Sequence, residues 1–194
     1  MQPDITIAGV FRPSQKTLGL VYDCLVVVCG SLLVGLSAQV RFYVPFSPVP
    51  VTAQTFVVLV LGILLGSKKG ALSLVLYLAE GVAGLPVFAG GIGLTALAGP
   101  TGGFLVGFIP AAYIVGRLAE MGWDRKIATT IAAMVTGEVV LYAFGVGWLA
   151  VLTGIKTALI TGLVPFVVGD VLKVIVAAAS LPAIWKLLGY LNKH

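Results

Sequence analysis

The sequence predicts an all-α integral membrane protein with six transmembrane helices and both termini in the cytoplasm. Three observations carry this prediction. First, 59% of the 194 residues are hydrophobic and only 10% are charged, against roughly 25% charged in ordinary soluble domains. Mean hydropathy is +1.12, and so few polar side chains cannot cover the surface of a soluble domain of this length. Second, proline, glycine and charge break the chain into six apolar runs. Third, its basic residues segregate between alternate connections, which is the positive-inside pattern of a membrane protein.

The first run covers about residues 18–42 and stops at the proline-rich stretch VPFSPVP, 44–50, which cannot be helical throughout. Its end at Leu36-Ser37-Ala38-Gln39 faintly resembles a signal-peptidase site. The run is too long for a signal-peptide core and contains Asp23, so it is read as an uncleaved first span. The second run, about 52–65, stops at Gly66-Ser67-Lys68-Lys69-Gly70, and the third covers about 71–85. A glycine-rich segment without charge follows, PVFAGGIGLTALAGPTGG, 86–103. The fourth run is about 104–119 and ends in the charged connection 120–126; the fifth and sixth cover about 127–151 and 164–188. Runs two to four are short for a hydrocarbon core of ~30 Å, which needs about 20 helical residues, so they are expected to draw on residues of their loops. Together the six form one transmembrane domain, 1–194.

With a cytoplasmic N-terminus, nine basic residues fall inside: Arg12, Lys16, Lys68, Lys69, Arg117, Arg125, Lys126, Lys186 and Lys193. Arg41 and Lys156 fall outside, and Lys173 lies within a span. The net charge of +5 therefore reports topology, and nucleic-acid binding is not invoked. The same topology puts the loops 44–50 and 86–103 on the outer face. Irregular backbone at a membrane is tolerated where it lines a cavity or is buried in protein, so these loops are expected to cover a site. Small residues four apart (Ser31 and Gly35; Gly62 and Gly66; Gly103, Gly107 and Ala111; Ala112 and Gly116) let helix backbones approach closely. They serve either internal packing or docking onto another membrane protein.

Most catalytic chemistry is excluded. The single histidine is His194, and the two cysteines, Cys24 and Cys29, have no cluster of ligands around them, so no metal site is expected. Gly91-Ile92-Gly93-Leu94-Thr95-Ala96 follows no strand, and GPTGG lacks the spacing and lysine of a phosphate-binding loop. Active uptake would need an energy source on another chain.

The chemistry that remains is intramembrane. Asp170 and Lys173 share a helical face, since three residues advance ~300° and rise ~4.5 Å. The pair is either a structural salt bridge or a ligand site; ionisable residues inside a membrane mark a functional site by default. Asp170 can accept N–H groups, and Lys173 can donate to a carboxylate or urea oxygen. Thr52, Gln54 and Thr55 at the start of run two, Tyr77 and Glu80 towards the outer end of run three, and Glu138, Tyr142 and Trp148 on run five are the other polar candidates.

Five segments then carry a family resemblance: FSPVPVTAQTF (46–56), LLGSKKGALSLVLYL (64–78), GLPVFAGG (84–91), LAGPTGGFLVGF (97–108) and PFVVGDVLK (165–173). In this order and spacing the chain resembles the BioY family, the biotin-specific S components of energy-coupling factor (ECF) transporters. The resemblance implies the six-helix S-component fold and high-affinity biotin capture from outside under the first and third loops. It implies assembly with a transmembrane T component and two cytoplasmic ATPases, which use the ATP; this chain is expected to bind no cofactor, to catalyse no reaction and to sit in the cell membrane. Asp170 and Lys173 match the family's biotin-contacting Asp-x-x-Lys pair. Tyr77 and Phe88 are expected to wall the bicyclic ring, with Thr52, Gln54 and Glu80 as further ligand-binding residues. Ser31 and Gly35 are the nearest match to a small-residue seam on span one that docks the T component. The competing reading is a stand-alone secondary transporter for biotin or a similar small acid.

Overall fold

The computed structural model describes residues 6–191; Lys193 and His194 lie outside them. The order of elements is α1 (Ile7–Val10), α2 (Lys16–Ser37), β1 (Arg41–Phe42), β2 (Val51–Thr52), α3 (Gln54–Leu65), α4 (Ser67–Val82), α5 (Gly93–Ala98), α6 (Gly102–Glu120), a 3-10 turn (Trp123–Arg125), α7 (Ile127–Thr153), α8 (Ile155–Gly162) and α9 (Val164–Leu191). Each of the six apolar runs contains one main helix, and short elements occupy the connections. Among the described residues, α2, α6, α7 and α9 are long and apolar enough to cross a membrane, while α3 is shorter.

Several boundaries differ from expectation for identifiable reasons. The first helix ends at Ser37 and not at residue 42, because Arg41–Phe42 pairs antiparallel with Val51–Thr52 across the proline-rich loop. Thr52 therefore belongs to the hairpin, and its hydroxyl accepts the Gln54 N–H at 3.2 Å where α3 begins. The expected break at 66–70 shrinks to one residue, Gly66, whose φ of 86° is open to glycine. Glu120 from α6 makes the sharp restart possible: one carboxylate oxygen accepts both the Ser67 N–H and the Ser67 hydroxyl at 2.8 Å. A negative charge is favourable at a helix N-terminus. The glycine-rich loop contains α5, and the connection between the fifth and sixth runs contains α8.

The helix α6 lies at the centre, packed against α3, α4 and α7. Its apolar window is 61% buried, against 28–33% for the other three long helices. Small residues make these contacts possible. A Cβ added to Gly62 would lie 2.5 Å from the Ala112 carbonyl oxygen, and one added to Gly116 would lie 2.5 Å from the Ser67 nitrogen. Gly103 and Gly107 receive Trp148 and Phe144 of α7 in the same way. The seams on α3 and α6 are thus internal packing.

One end of the bundle gathers the hairpin, the 86–101 loop and α8. The other end carries ion pairs: Asp23 bridges Arg12 at 2.9 Å and Lys69 at 3.1 Å, which accounts for an acid in the first apolar run. In the α6–α7 connection, Asp124 is 1% exposed and accepts the Trp185 indole N–H at 2.5 Å. Burial, the largest influence, raises the Asp124 carboxyl above the usual carboxylate range, although the indole N–H opposes the shift. The folded chain holds this proton where the unfolded chain has released it. Stability is therefore expected to fall as pH rises through the ordinary aspartate range towards the folded value, and to be flat below that range. Thermal melts across pH should show this slope in the wild type and lose it in Asp124→Asn. Trp185→Phe removes a hydrogen bond to a buried carboxyl group and is expected to cost about 1–3 kcal/mol.

Candidate functional site

The loop end is held together by side chains that bind backbone carbonyls. The Arg41 guanidinium and the Tyr43 hydroxyl both donate to the Ala89 carbonyl, Gln39 donates to that of Pro86 at 3.2 Å, and Ser47 to that of Thr161 at 2.7 Å. Trp148, near the end of α7, donates its indole N–H to the Gly99 carbonyl at 2.9 Å. The first and third loops are therefore fastened to each other and to the helices beneath. Proline and glycine leave these carbonyls outside regular ladders, and polar side chains from the first loop and its flanks, with Trp148 of α7, satisfy them.

Beneath the loops lies a cavity with ≈ 540 Å³ of atom-free space, including its open part. Its rim is Val49, Pro50, Ala89 and Gly90, and its apolar walls include Phe104, Phe108 and Phe166. The Phe104 and Phe166 rings stack with centroids 6.1 Å apart, and Tyr142 meets Phe104 edge-on at 6.4 Å. Polar groups in the lining are few: Thr52, Gln54, Thr55, Thr101, Glu138 and Tyr142. An apolar enclosure with a handful of placed polar groups is the usual form of a small-molecule site.

The expected pair sits directly behind this wall. Lys173 donates to Asp170 at 2.7 Å and to the Thr55 hydroxyl at 2.6 Å, while Tyr142 donates to the other Asp170 oxygen. The two side chains are 17% and 8% exposed, so the ion pair is well shielded from solvent. It joins α9 to α3 and α7, and both Thr55 and Tyr142 present their other sides to the cavity.

Tyr77 and Phe88 are brought together, but one layer back. Gln54 donates to the Tyr77 hydroxyl at 2.7 Å, which donates onward to the Val87 carbonyl at 3.2 Å. The Phe88 ring meets Tyr77 edge-on at 5.4 Å. Phe88 also lies over Gly81, where an added Cβ would be 2.0 Å from the ring. Gln54 is thus the member of this group that reaches the cavity lining, positioned by Tyr77 and the third loop.

Glu80 is not brought to the cavity. It accepts the Ser31 hydroxyl at 2.6 Å and links α4 to α2. Ser31 is fully buried, and a Cβ added to Gly35 would lie 3.3 Å from the Val87 side chain. The expected docking seam therefore faces inward, and the outward face of α2 carries Leu25, Leu32, Leu33 and Leu36. The physical reason is local: Glu80 needs a hydroxyl partner in an apolar interface, and the small residues of α2 admit α4 and the third loop.

The sequence offers Glu138 and Tyr142 as polar candidates without joining them to the pair, and it does not single out the phenylalanines. Periodicity holds the missing signal. Glu138 and Tyr142 are four apart on α7, as are Phe104 and Phe108 on α6, so each pair shares a face.

The BioY family model matches residues 12–190. Over 157 residues the chain is 40% identical to a biotin transporter BioY of Rhizobium etli, covering 76% of this chain and 84% of that protein. It is 42% identical over 137 residues to a biotin transporter BioY of Thermotoga maritima, covering 70% and 80%. The crystal structure of an S-component for biotin from an ECF-type ABC transporter superposes with a TM-score of 0.75 at 24% identity, covering 89% of this chain and 95% of that one. It has the same fold. The curated relatives are named as transporters, which agrees with a role that involves no catalysis.

Proposed function

Because the chain belongs to the BioY family, we propose that it is the biotin-binding S component of an ECF uptake transporter. It is a multi-pass protein of the cell membrane. In this reading six helices cross or enter the bilayer, both termini are cytoplasmic, and the loops 44–50 and 86–103 close over biotin from outside. Basic residues support the orientation: Arg12, Lys16, Lys68, Lys69, Arg117, Arg125, Lys126 and Lys186 belong to the end away from the loops. Arg41 and Lys156 belong to the loop end. A T component and two ATPases supply the energy, and ATP is bound by those chains.

One observation carries the substrate reading beyond family membership. A buried Asp170–Lys173–Thr55–Tyr142 network backs a largely apolar, aromatic cavity. Biotin combines an apolar bicycle with a urea and a carboxylate, and so needs both surfaces. The Lys173 ammonium has three N–H groups, two of them engaged by Asp170 and Thr55. In this reading the third donates to a ligand oxygen. Asp170 keeps the ammonium charged and aimed, Gln54 and Thr52 add hydrogen bonds from the start of α3, and Tyr77 and Phe88 hold the third loop against the site.

Mass spectrometry of the ligand released from detergent-purified protein tests the substrate, with biotin as the expected mass. Vesicle uptake tests the class. Concentrative uptake is expected only when the T component and ATPases are co-reconstituted with ATP; equal accumulation without them would favour a stand-alone transporter. Gly81→Ala pushes the Phe88 ring away and is expected to weaken biotin binding roughly tenfold, since overpacking costs about 1–3 kcal/mol. Equilibrium titration checks this.

A further inference from the structure

We propose that Glu138 is a direct ligand-binding residue, accepting an N–H of a urea- or amide-class group, with the Thr55 hydroxyl donating to the adjacent carbonyl. The inference rests on the biotin-binding reading above and assigns a contact within that site. Glu138 is 6% exposed, lines the cavity, and neither carboxyl oxygen has a hydrogen-bond partner among the described residues. Buried polar groups are almost always paired, so an exception at a cavity wall points to a partner that arrives with the ligand. Asp170, the acid singled out from the sequence, differs in this respect. One of its oxygens holds Lys173 and the other holds Tyr142.

The neighbouring groups define what would fit. Thr55 accepts the Lys173 ammonium through its hydroxyl oxygen, which leaves its own proton to donate. The same cavity lining thus contains an unengaged acceptor at Glu138 and an unengaged donor at Thr55. A cyclic urea presents the complementary set, N–H beside C=O, on one edge. A carboxylate has no N–H to offer the unpaired Glu138 oxygens, so biotin's acid tail is directed away from this wall and its urea towards it.

The test is a cycle between protein and ligand on the purified full chain. Biotin and its two mono-N-methylated urea isomers are titrated against wild type, Glu138→Ala and Glu138→Gln, with size-exclusion profiles and thermal melts as fold controls. Expected is a ten- to hundredfold loss of biotin affinity in Glu138→Ala, the range for hydrogen bonds to a charged group, and a smaller loss in Glu138→Gln, which keeps a carbonyl acceptor. Methylation at the nitrogen facing Glu138 should weaken binding to wild type, and that penalty should shrink several-fold in Glu138→Ala, because the contact it breaks is already gone. Should Glu138→Ala not fold, the same comparison is made with Glu138→Gln. Biotin affinity within twofold of wild type in Glu138→Ala would overturn the inference, as would methylation penalties unchanged by the substitution, and both leave biotin binding itself intact. A wild-type chain that binds no biotin would instead overturn the functional reading, and this contact with it.

Discussion

Replacing Lys173 or Asp170 with alanine is expected to weaken biotin binding a hundredfold or more and to lower stability, the Asp170 variant the more so. The two variants differ because the residues have different obligations. Removing Lys173 leaves Asp170 with the Tyr142 hydroxyl, whereas removing Asp170 leaves a buried ammonium with only Thr55 and a tyrosine without its acceptor. Breaking a buried ion pair from one side costs about 3–5 kcal/mol, because the remaining charge is uncompensated. A double variant, Asp170→Leu with Lys173→Met, removes both charges and is expected to recover much of the stability, since apolar replacements of buried pairs are often neutral. Biotin binding is expected to stay lost. Thermal melts and titrations on the four proteins check both halves. A double variant that folds and binds biotin normally would reduce the pair to a structural salt bridge, the alternative open from the sequence.

The second large effect concerns assembly of the bundle. Gly62→Val and Gly116→Val are each expected to abolish the folded, monodisperse protein. An added Cβ at either position comes within 2.5–2.6 Å of backbone atoms of a neighbouring segment: the Ala112 carbonyl oxygen for Gly62, the Ser67 nitrogen and Gly66 carbonyl carbon for Gly116. Backbone of a packed helix cannot move aside as a side-chain tip can, so α6 would have to separate from α3 and α4. Overpacking typically costs about 1–3 kcal/mol and more where the neighbour is rigid. Gly147→Val is the control, because an added Cβ there meets nothing within 4 Å. Size-exclusion chromatography of the three variants in the same detergent distinguishes them, and normal profiles for the first two would refute the close-packing account.

Much of the helical frame was legible in the sequence because it depends on neighbours along the chain. Apolar runs bounded by proline and glycine located α2, α3, α4, α6, α7 and α9 to within a few residues. The largest errors fell where a distant group intervened. Glu120 caps α4 across 53 residues, and so lets Lys68 and Lys69 enter a helix from a stretch that reads as a break. The hairpin took residues 41 and 42 from the first run for a similar reason: their hydrogen-bond partners lie beyond the proline-rich loop.

The candidate site divides along the same line. The i, i+3 spacing of Asp170 and Lys173 suffices to put both on one face of α9, and the unfavourable energy of lone charges in a membrane suffices to make them partners. Their other partners, Thr55 and Tyr142, stand 118 and 28 residues away along the chain, and only the packing of α3, α7 and α9 selects them. Packing also turned Glu80 and Ser31 towards each other and away from the cavity, and left Glu138 facing it unpaired. Local periodicity determines which side chains share a helical face. Which neighbour that face meets depends on the close fit of helices far apart in sequence, and so the tertiary structure alone decided which polar groups line the cavity and which are spent on holding the bundle together.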